Sequence, residues 1–267
     1  MSLNLSIAPS EAVPYTVHYR DDEFLVVEKP ARIATQPGKG HEHDTLLNGL
    51  FAVFGAQLQN LGRGRDFGLL HRLDRQTSGL LVVGLMPRAY DAIRAQFEKR
   101  TIRKFYWALT WRAPKKPSGV IRRPILEETD DRKTARISSA GKPAVTAYRV
   151  LQVSQKPGQH AALLECRPVT GRLHQVRVHL ESIGCPILGD DIYAPRPAAA
   201  AAGRLALHAH RLVLTHPRTN ETIDVRSPWP KDLAGALKRV GLSKPESGST
   251  PQGAHELGGD AVGHEEP

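Results

Sequence analysis

The stretch HRLDRQTSGLLVVG, residues 71–84, decides how this chain is interpreted. Its last part is a continuous apolar run of strand length, and the Thr-Ser-Gly before it is typical of a turn that leads into a buried strand. Asp74 is therefore expected on a loop at the mouth of a strand, where a rigid scaffold commonly presents functional groups. Arg72 and Arg75 flank this acid, and nearby cations favour its ionised form. A solvated surface ion pair and an anionic nucleophile are both consistent with the stretch.

The composition predicts a globular protein. A chain of 267 residues, 40% of them hydrophobic, can bury a substantial core in one large or two small domains. No apolar run approaches the ~18 to 20 residues that cross a bilayer, and the amino end lacks the pattern of a signal peptide, so we expect a cytoplasmic protein with no membrane association. Cys166 and Cys185 have neither CxxC spacing nor the density of a disulfide scaffold, and we interpret both as packing thiols.

The charge distribution indicates a polyanionic partner. The formal net charge is +10, but the segment from Ser243 onward holds one lysine and five acids, a net of −4, which leaves +14 on residues 1–242. Such an excess suits nucleic acid, because neutralising phosphates with Lys and Arg releases counterions. A protein that is basic only for solubility is the alternative. We predict a flexible segment at residues 1–14 and a disordered acidic tail at residues 243–267.

The mixture of strand-like and helix-like segments predicts an α+β fold. Strands are expected at residues 24–27, 80–83, 103–111, 144–153, 161–166 and 205–214. Helical spacing of apolar residues predicts helices at residues 45–54, 87–99 and 173–183. Because these segments form no regular β-α-β repeat, a layered sheet is favoured over a doubly wound one. The low-complexity stretch RPAAAAAG, residues 196–203, is predicted to be an exposed loop.

Two further side chains are candidates for a binding cleft. In the strand KFYWALTW, residues 104–111, the large apolar side chains alternate with Tyr106, Ala108 and Thr110 on the other face, where a flat group could stack on the tyrosine. Arg177 lies at the edge of the apolar stripe of its predicted helix, from which a guanidinium could pair bidentately with a carboxylate. The alternatives are a covered tyrosine bonded to the backbone and an arginine whose head stays in solvent.

The histidines do not predict a metal site. His174 and His179 are five residues apart and do not share a helical face, while His208 and His210 share a strand face but have no Cys or carboxylate nearby. We expect ordinary hydrogen-bonded histidines. The chain also lacks the glycine-rich loops that bind nucleotides, so neither a dinucleotide nor a nucleoside triphosphate is expected.

Six sequence blocks occur in a fixed order between about residue 15 and residue 229. They are VEKP (27–30), HRLD with TSG (71–79), KxYxAL (104–109), GRxHQxRxHL (171–180), GxPILGD with Tyr193 (184–193) and LHA (207–209). Together they resemble the RluA-like family of RNA pseudouridine synthases. The resemblance implies a catalytic domain at residues 15–242, with a long, mixed, mainly antiparallel sheet in two halves and flanking helices around a central cleft.

The resemblance also implies the chemistry. Such an enzyme isomerises specific uridines in structured RNA to pseudouridine without a cofactor, and Asp74 would be the catalytic carboxylate, Tyr106 would stack on the target base and Arg177 would pair with Asp74. Whether Asp74 attacks the base or acts at the sugar stays open. Arg72 is expected to fill the space that the base vacates. Further RNA contacts are expected from His71, Arg75, Thr77, Lys104, Arg172 and His174.

The expected partner is an rRNA or tRNA stem-loop, bound by a monomer. Because only about 14 residues precede Tyr15, we expect no RNA-binding module of the S4 type. A non-catalytic RNA-binding or assembly protein that retained the fold is the alternative. Hydrolysis of a glycosidic bond is a third possibility, but it commonly needs a second acid that the sequence does not place beside Asp74.

Overall fold

The structure is a computed structural model that describes residues 5–129 and 133–245, so most of the predicted acidic tail lies outside the described residues. The chain divides into two units. Unit 1 comprises the described residues of Met1–Lys104 and His208–Pro228, and unit 2 comprises those of Phe105–Leu207 and Trp229–Pro267. In the described residues, no helix has the length and apolar character needed to cross a membrane.

Unit 1 combines a mixed sheet with two helices. Its strands are β1 (Thr16–Arg20), β2 (Phe24–Lys29), β3 (Ser78–Gly84), β10 (Leu207–Thr215) and β11 (Thr222–Arg226). Strand β2 pairs antiparallel with β1 and β3, and β11 pairs antiparallel with β10, whereas β3 and β10 are parallel. The helices are α1 (Leu46–Leu61) and α2 (Pro87–Glu98). Thr45 starts α1 with a capping box formed with Asn48, which satisfies backbone N–H groups of the first turn.

The core of unit 1 forms around β3, because every residue of that strand is buried. One hydrophobic cluster joins the sheet to α2, and its buried members are Phe24, Val26, Leu80, Val82, Ile93, Ile102, Leu212, Leu214 and Val225. Gly79 lies opposite Ala209 in the parallel pairing of β3 with β10, one residue after Ser78 pairs with His208. It has φ of +124°, and a Cβ there would lie 2.3 Å from the Ala209 carbonyl oxygen, so glycine is required at the strand's entrance.

Unit 2 has a four-stranded antiparallel sheet and a separate hairpin. Its strands are β4 (Arg103–Thr110), of which the first two residues belong to unit 1, β5 (Ser118–Arg122), β6 (Ile125–Thr129), β7 (Lys133–Ile137), β8 (Val145–Val153) and β9 (Ala162–Pro168). The order in the sheet is β4-β9-β8-β5, and β6 pairs with β7 in the hairpin. The helices are α3 (Gln175–Ser182), α4 (Arg196–Ala200) and α5 (Ala234–Arg239).

The predicted α+β class and the mainly antiparallel sheet in two halves are confirmed, and each predicted strand and helix is present. Cys166 and Cys185 are free and buried, as predicted. The prediction of an exposed loop at residues 196–203 is wrong, because α4 lies there and its Ala198 is fully buried. Alanine has the highest helix propensity, and a proline precedes α4.

The amino-terminal segment contacts α1. Residues 1–4 of the predicted flexible segment lie outside the described part of the chain, and residues 5–14 form no helix or strand. Nevertheless, the N–H of Ser10 donates to the carbonyl of Asn48 at 3.0 Å, and the Asn48 side chain donates to the carbonyl of Ala8 at 2.8 Å. Val13 is buried against Gly49.

Candidate active site

Asp74 lies in the loop before β3, and hydrogen bonds fix the backbone on both sides of it. The N–H of Thr77 donates to the carbonyl of Asp74 at 3.0 Å and closes a turn. On the other side, the hydroxyl of Thr35 donates to the carbonyl of Leu73 at 2.8 Å and accepts from its N–H at 3.2 Å. The aspartate is half-buried, whereas Arg72 and Arg75 are exposed. The loop therefore presents one acid at a fixed point between two solvent-accessible cations.

A buried lysine supports the same loop. The ammonium of Lys29 is fully buried and donates to the carbonyls of Pro30 at 2.8 Å and Ile33 at 2.7 Å, with a longer contact of 3.5 Å to the carbonyl of Arg75. It thus ties the end of β2 to the Asp74 loop. This role of Lys29 was not predicted from the VEKP block, although a lysine that ends an apolar strand is a signal for it.

His71, Phe97 and Lys104 form a cluster in unit 1. His71 accepts the N–H of Val82 through Nε2 at 3.1 Å, and its ring centroid lies 5.0 Å from that of Phe97. The ammonium of Lys104 lies 5.4 Å from the Phe97 centroid. Burial and the charge of Lys104 lower the pKa of His71 well below its usual range, so its ring is neutral. Burial lowers the pKa of Lys104 to about 8, which leaves it a cation at neutral pH.

Thr77 and Ser78 have buried hydroxyls with different surroundings. Thr77 Oγ1 has no hydrogen-bond partner among the described residues. The hydroxyl of Ser78 bonds to Nδ1 of His208 at 2.9 Å, and Nε2 of His208 lies 2.7 Å from the hydroxyl of Ser227. His208 is therefore a hydrogen-bonded histidine, as predicted, and it links β3 to β10. No group of three His, Cys, Asp or Glu side chains suited to a metal ion occurs within residues 5–129 and 133–245.

In unit 2, Tyr106 lies on β4 opposite Cys166 of β9. It is only 8% exposed, and every residue from 105 to 110 is buried, so both faces of this part of β4 are covered. Trp107 packs against Trp229 with 5.8 Å between ring centroids, which agrees with the predicted core face. The tyrosine face is more enclosed than the sequence pattern predicted.

Arg177 lies on α3 and is paired with Asp190. Its Nε donates to Oδ2 at 2.8 Å and its Nη2 donates to Oδ1 at 2.7 Å, a bidentate pair in which the side chains are 2% and 1% exposed. The alternative of an arginine head in solvent is therefore wrong. A bidentate carboxylate partner for Arg177 was predicted, but Asp190, which ends the GxPILGD block, was not singled out as that partner. The predicted pairing with Asp74 stays a prediction.

Asp190 is held in a turn of its own. Its Oδ1 also accepts the backbone N–H groups of Ile192 and Tyr193, each at 3.0 Å. Burial alone would raise the pKa of Asp190, but the bonds from Arg177 and from these two N–H groups outweigh it, so the pKa lies below the usual value. The carboxylate is therefore an anion that accepts four hydrogen bonds.

Tyr193 lies on the other side of the arginine. Its ring centroid is 5.0 Å from Cζ of Arg177. Its hydroxyl accepts the N–H of Ala135 at 2.9 Å and lies 2.8 Å from Nδ1 of His174. His174 has φ of +51° and immediately precedes α3, while Arg172 donates from Nε to the carbonyl of Pro143 at 3.2 Å.

The predicted site residues thus occur in both units. Unit 1 contains Asp74 with His71, Arg72, Arg75, Thr77 and Lys104, and unit 2 contains Tyr106, Arg172, His174 and Arg177. Within unit 2, His174 and Arg177 gather around Tyr193. The convergence of Tyr106 and Arg177 with Asp74 stays a prediction.

Comparisons with known proteins agree on one family. Residues 23–182 match a family model described as RNA pseudouridylate synthase. A ribosomal large subunit pseudouridine synthase D of Nitrosomonas europaea is 39% identical over 238 residues, which cover 86% of this chain and 67% of that protein. An uncharacterized RNA pseudouridine synthase of Bacillus subtilis is 35% identical, with 86% and 74% covered. The solved structure of Human RNA Pseudouridylate Synthase Domain Containing 4 is 26% identical, with a TM-score of 0.66 over 86% of this chain and 95% of the other.

Proposed function

This chain belongs to the RNA pseudouridylate synthase family, and from that premise we propose that it isomerises uridines of ribosomal large-subunit RNA with Asp74 as the catalytic carboxylate. The family makes it an isomerase that forms pseudouridine in RNA. The choice of substrate rests on the likeness to the protein of Nitrosomonas europaea, a ribosomal large subunit pseudouridine synthase D. The assignment of Asp74 is carried by one observation, the fixed backbone on both sides of this acid at the mouth of β3.

The reaction rearranges one nucleotide without adding or removing atoms. The C1′–N1 bond breaks, the uracil turns within the site, C5 bonds to C1′, and the proton that leaves C5 is balanced by one gained at N1. Because the reacting atoms are hidden in stacked RNA, the uridine must first be extruded, at a cost of about a few kcal/mol. Asp74 then acts as the nucleophile, either on the base or at C1′.

Tyr106 and Arg177 have the supporting roles in this proposal. Tyr106 stacks on the extruded uracil, and its hydroxyl is the candidate to take the C5 proton. Arg177 keeps Asp74 ionised, since a guanidinium close to a carboxylate favours the charged form.

The RNA contacts follow from exposure and charge. Arg72 and Arg75 are exposed beside Asp74, so Arg72 can enter the space that the base vacates and hold nearby phosphates, while Arg75 meets the phosphate backbone. Lys104 and Arg172 are the further cations. His71 is neutral and its Nε2 is occupied by Val82, so any contact with RNA would use its Nδ1 edge.

The test replaces the acid with its neutral isostere. We expect Asp74→Asn to lower turnover by at least ~10³-fold, since the nucleophile is lost, and to leave RNA affinity nearly unchanged. Turnover is measured as tritium release from large-subunit RNA labelled at C5 of uridine, with Asp22→Asn, an exposed acid of unit 1, as the matched control. Isomerisation by Asp74→Asn at the wild-type rate would contradict the assignment, and release of free uracil would indicate hydrolysis instead.

The target position needs a separate measurement. Pseudouridines are mapped in ribosomal and transfer RNA from cells with and without this protein. The proposal expects a loss confined to large-subunit RNA. A loss confined to transfer RNA would contradict the proposed substrate without affecting the assignment of Asp74.

A further inference from the structure

Two groups hold the guanidinium of Arg177 within unit 2. Asp190 binds one edge through Nε at 2.8 Å and Nη2 at 2.7 Å, and Cζ lies over the ring of Tyr193, 5.0 Å from its centroid. Asp190 cannot turn away from this pair without also losing the N–H groups of Ile192 and Tyr193. A planar cation with both contacts is fixed in direction as well as in place.

We infer that Asp190 and Tyr193 are positioning residues for catalysis, which fix the direction from which Arg177 meets Asp74. The inference rests on the proposed function, in which Arg177 keeps Asp74 ionised. Directional control matters here, because a displacement of about 1 Å in a catalytic arrangement can lower the rate by ~10²-fold. A lysine on the same helix could supply the charge but not the fixed fork.

Stability alone is a weak reason for this buried pair. Removing two charges from water costs much of what their attraction returns, so apolar residues of similar volume often stabilise a fold equally well. The second contact, from Tyr193, adds no opposite charge but places a ring beside the cation and so limits where the guanidinium can move. The contacts from Asp190 and Tyr193 therefore restrain the Arg177 guanidinium more than an ion pair that only stabilises the fold would need to.

The support extends to two further elements through the Tyr193 hydroxyl. This oxygen accepts the N–H of Ala135 in β7 at 2.9 Å and lies 2.8 Å from Nδ1 of His174, the residue before α3. The hairpin and the start of the helix thus meet at the ring that faces Arg177. These two contacts fix the position of Tyr193 relative to α3, the helix that carries Arg177.

The experiment measures kcat and KM separately for Asp190→Asn. We expect kcat to fall at least tenfold with KM within about threefold of wild type, in protein whose circular dichroism shows it folded. Arg177→Lys alone should also lower kcat, and adding Asp190→Asn to it should lower kcat by less than about threefold, because the fork is already lost. Glu165→Gln is the matched control, since it breaks another largely buried pair in unit 2, with Arg149, and should leave kcat unchanged.

The outcomes separate this inference from the proposed function. An active Asp74→Asn enzyme would contradict the proposed function itself. An inactive Asp74→Asn, an impaired Arg177→Lys and a folded Asp190→Asn with wild-type kcat would overturn the positioning role alone. The positioning role would also be overturned if the two single-variant losses in kcat multiplied in the double variant of Arg177→Lys and Asp190→Asn. An equal loss of kcat in Glu165→Gln would overturn it as well. If Asp190→Asn does not fold, Tyr193→Leu tests the other contact, and a folded variant with wild-type kcat would have the same meaning.

Discussion

At the scale of single residues, Lys104, one of the proposed RNA contacts, has an unusual environment. Its ammonium lies beside Phe97 and close enough to His71 to lower the pKa of that histidine. Desolvation brings the pKa of Lys104 itself to about 8, so its charge is present below this pH and is lost as the pH rises through it. A cation that contributes to RNA binding would thus contribute less in mildly alkaline solution.

Lys104 therefore predicts a pH dependence of RNA affinity. We expect the Kd of the wild-type protein to rise by roughly threefold to tenfold between pH 7 and pH 9, on the scale of one lost phosphate contact. In Lys104→Arg the charge is permanent and this rise should disappear. The measurement is fluorescence anisotropy with a labelled large-subunit RNA fragment, with the exposed Lys99→Arg as control. Equal pH profiles for wild type and Lys104→Arg would remove Lys104 from the RNA-binding surface.

At the scale of secondary structure elements, the parallel junction of β3 and β10 positions the Asp74 loop. Gly79 enters β3 with φ of +124°, a region that other residues rarely adopt. The backbone of Ala209 occupies the place where a Cβ would lie, with its oxygen at 2.3 Å and its nitrogen at 2.5 Å. Any side chain at position 79 would push the two strands apart.

Gly79→Ala should accordingly destabilise the protein. We expect a loss of roughly 2–4 kcal/mol in the free energy of unfolding, from backbone strain and overpacking together. Urea denaturation followed by circular dichroism gives the value. Gly64→Ala is the control, because nothing lies within 4 Å of its Cβ position, and its change should stay within about 1 kcal/mol. Similar losses for both variants would show that the close approach to Ala209 is not the cause.

At the scale of the whole molecule, the excess of positive charge sets how binding responds to salt. Residues 1–242 carry a formal charge of +14, while the segment that follows is acidic. Counterion release makes the logarithm of RNA affinity fall linearly with the logarithm of salt concentration, with a slope that counts phosphate contacts. The slope is thus a property of the complete interface, to which single residues contribute increments.

Arg72→Gln should reduce that slope. We expect a decrease of about one in its magnitude, with weaker binding at low salt, if the guanidinium contacts a phosphate of the extruded nucleotide's strand. Titrations of affinity from low to moderate salt give the slopes, and Lys238→Gln, an exposed cation outside the six sequence blocks, serves as control. An unchanged slope in Arg72→Gln would place this arginine away from the phosphates.

Elements with strong local patterns could be predicted, and those that depend on pairing could not. The apolar run of β3 and the four-residue spacing in α2 identify both from the sequence. The hairpin of β6 and β7 was missed, because its sequence is largely charged and polar and its stability depends on cross-strand pairing and on packing against α3. Strand propensity reflects such packing more than intrinsic preference.

The same division applies to the site. The six sequence blocks were enough to predict the family and to propose Asp74 as the acid, because both inferences depend on residue types and their spacing along the chain. Only the tertiary structure decided that Arg177 binds Asp190, that Lys29 holds the Asp74 loop and that Nε2 of His71 accepts the N–H of Val82. Periodicity encodes which face of an element is buried, whereas a hydrogen-bond partner depends on distances in space that only the folded chain sets.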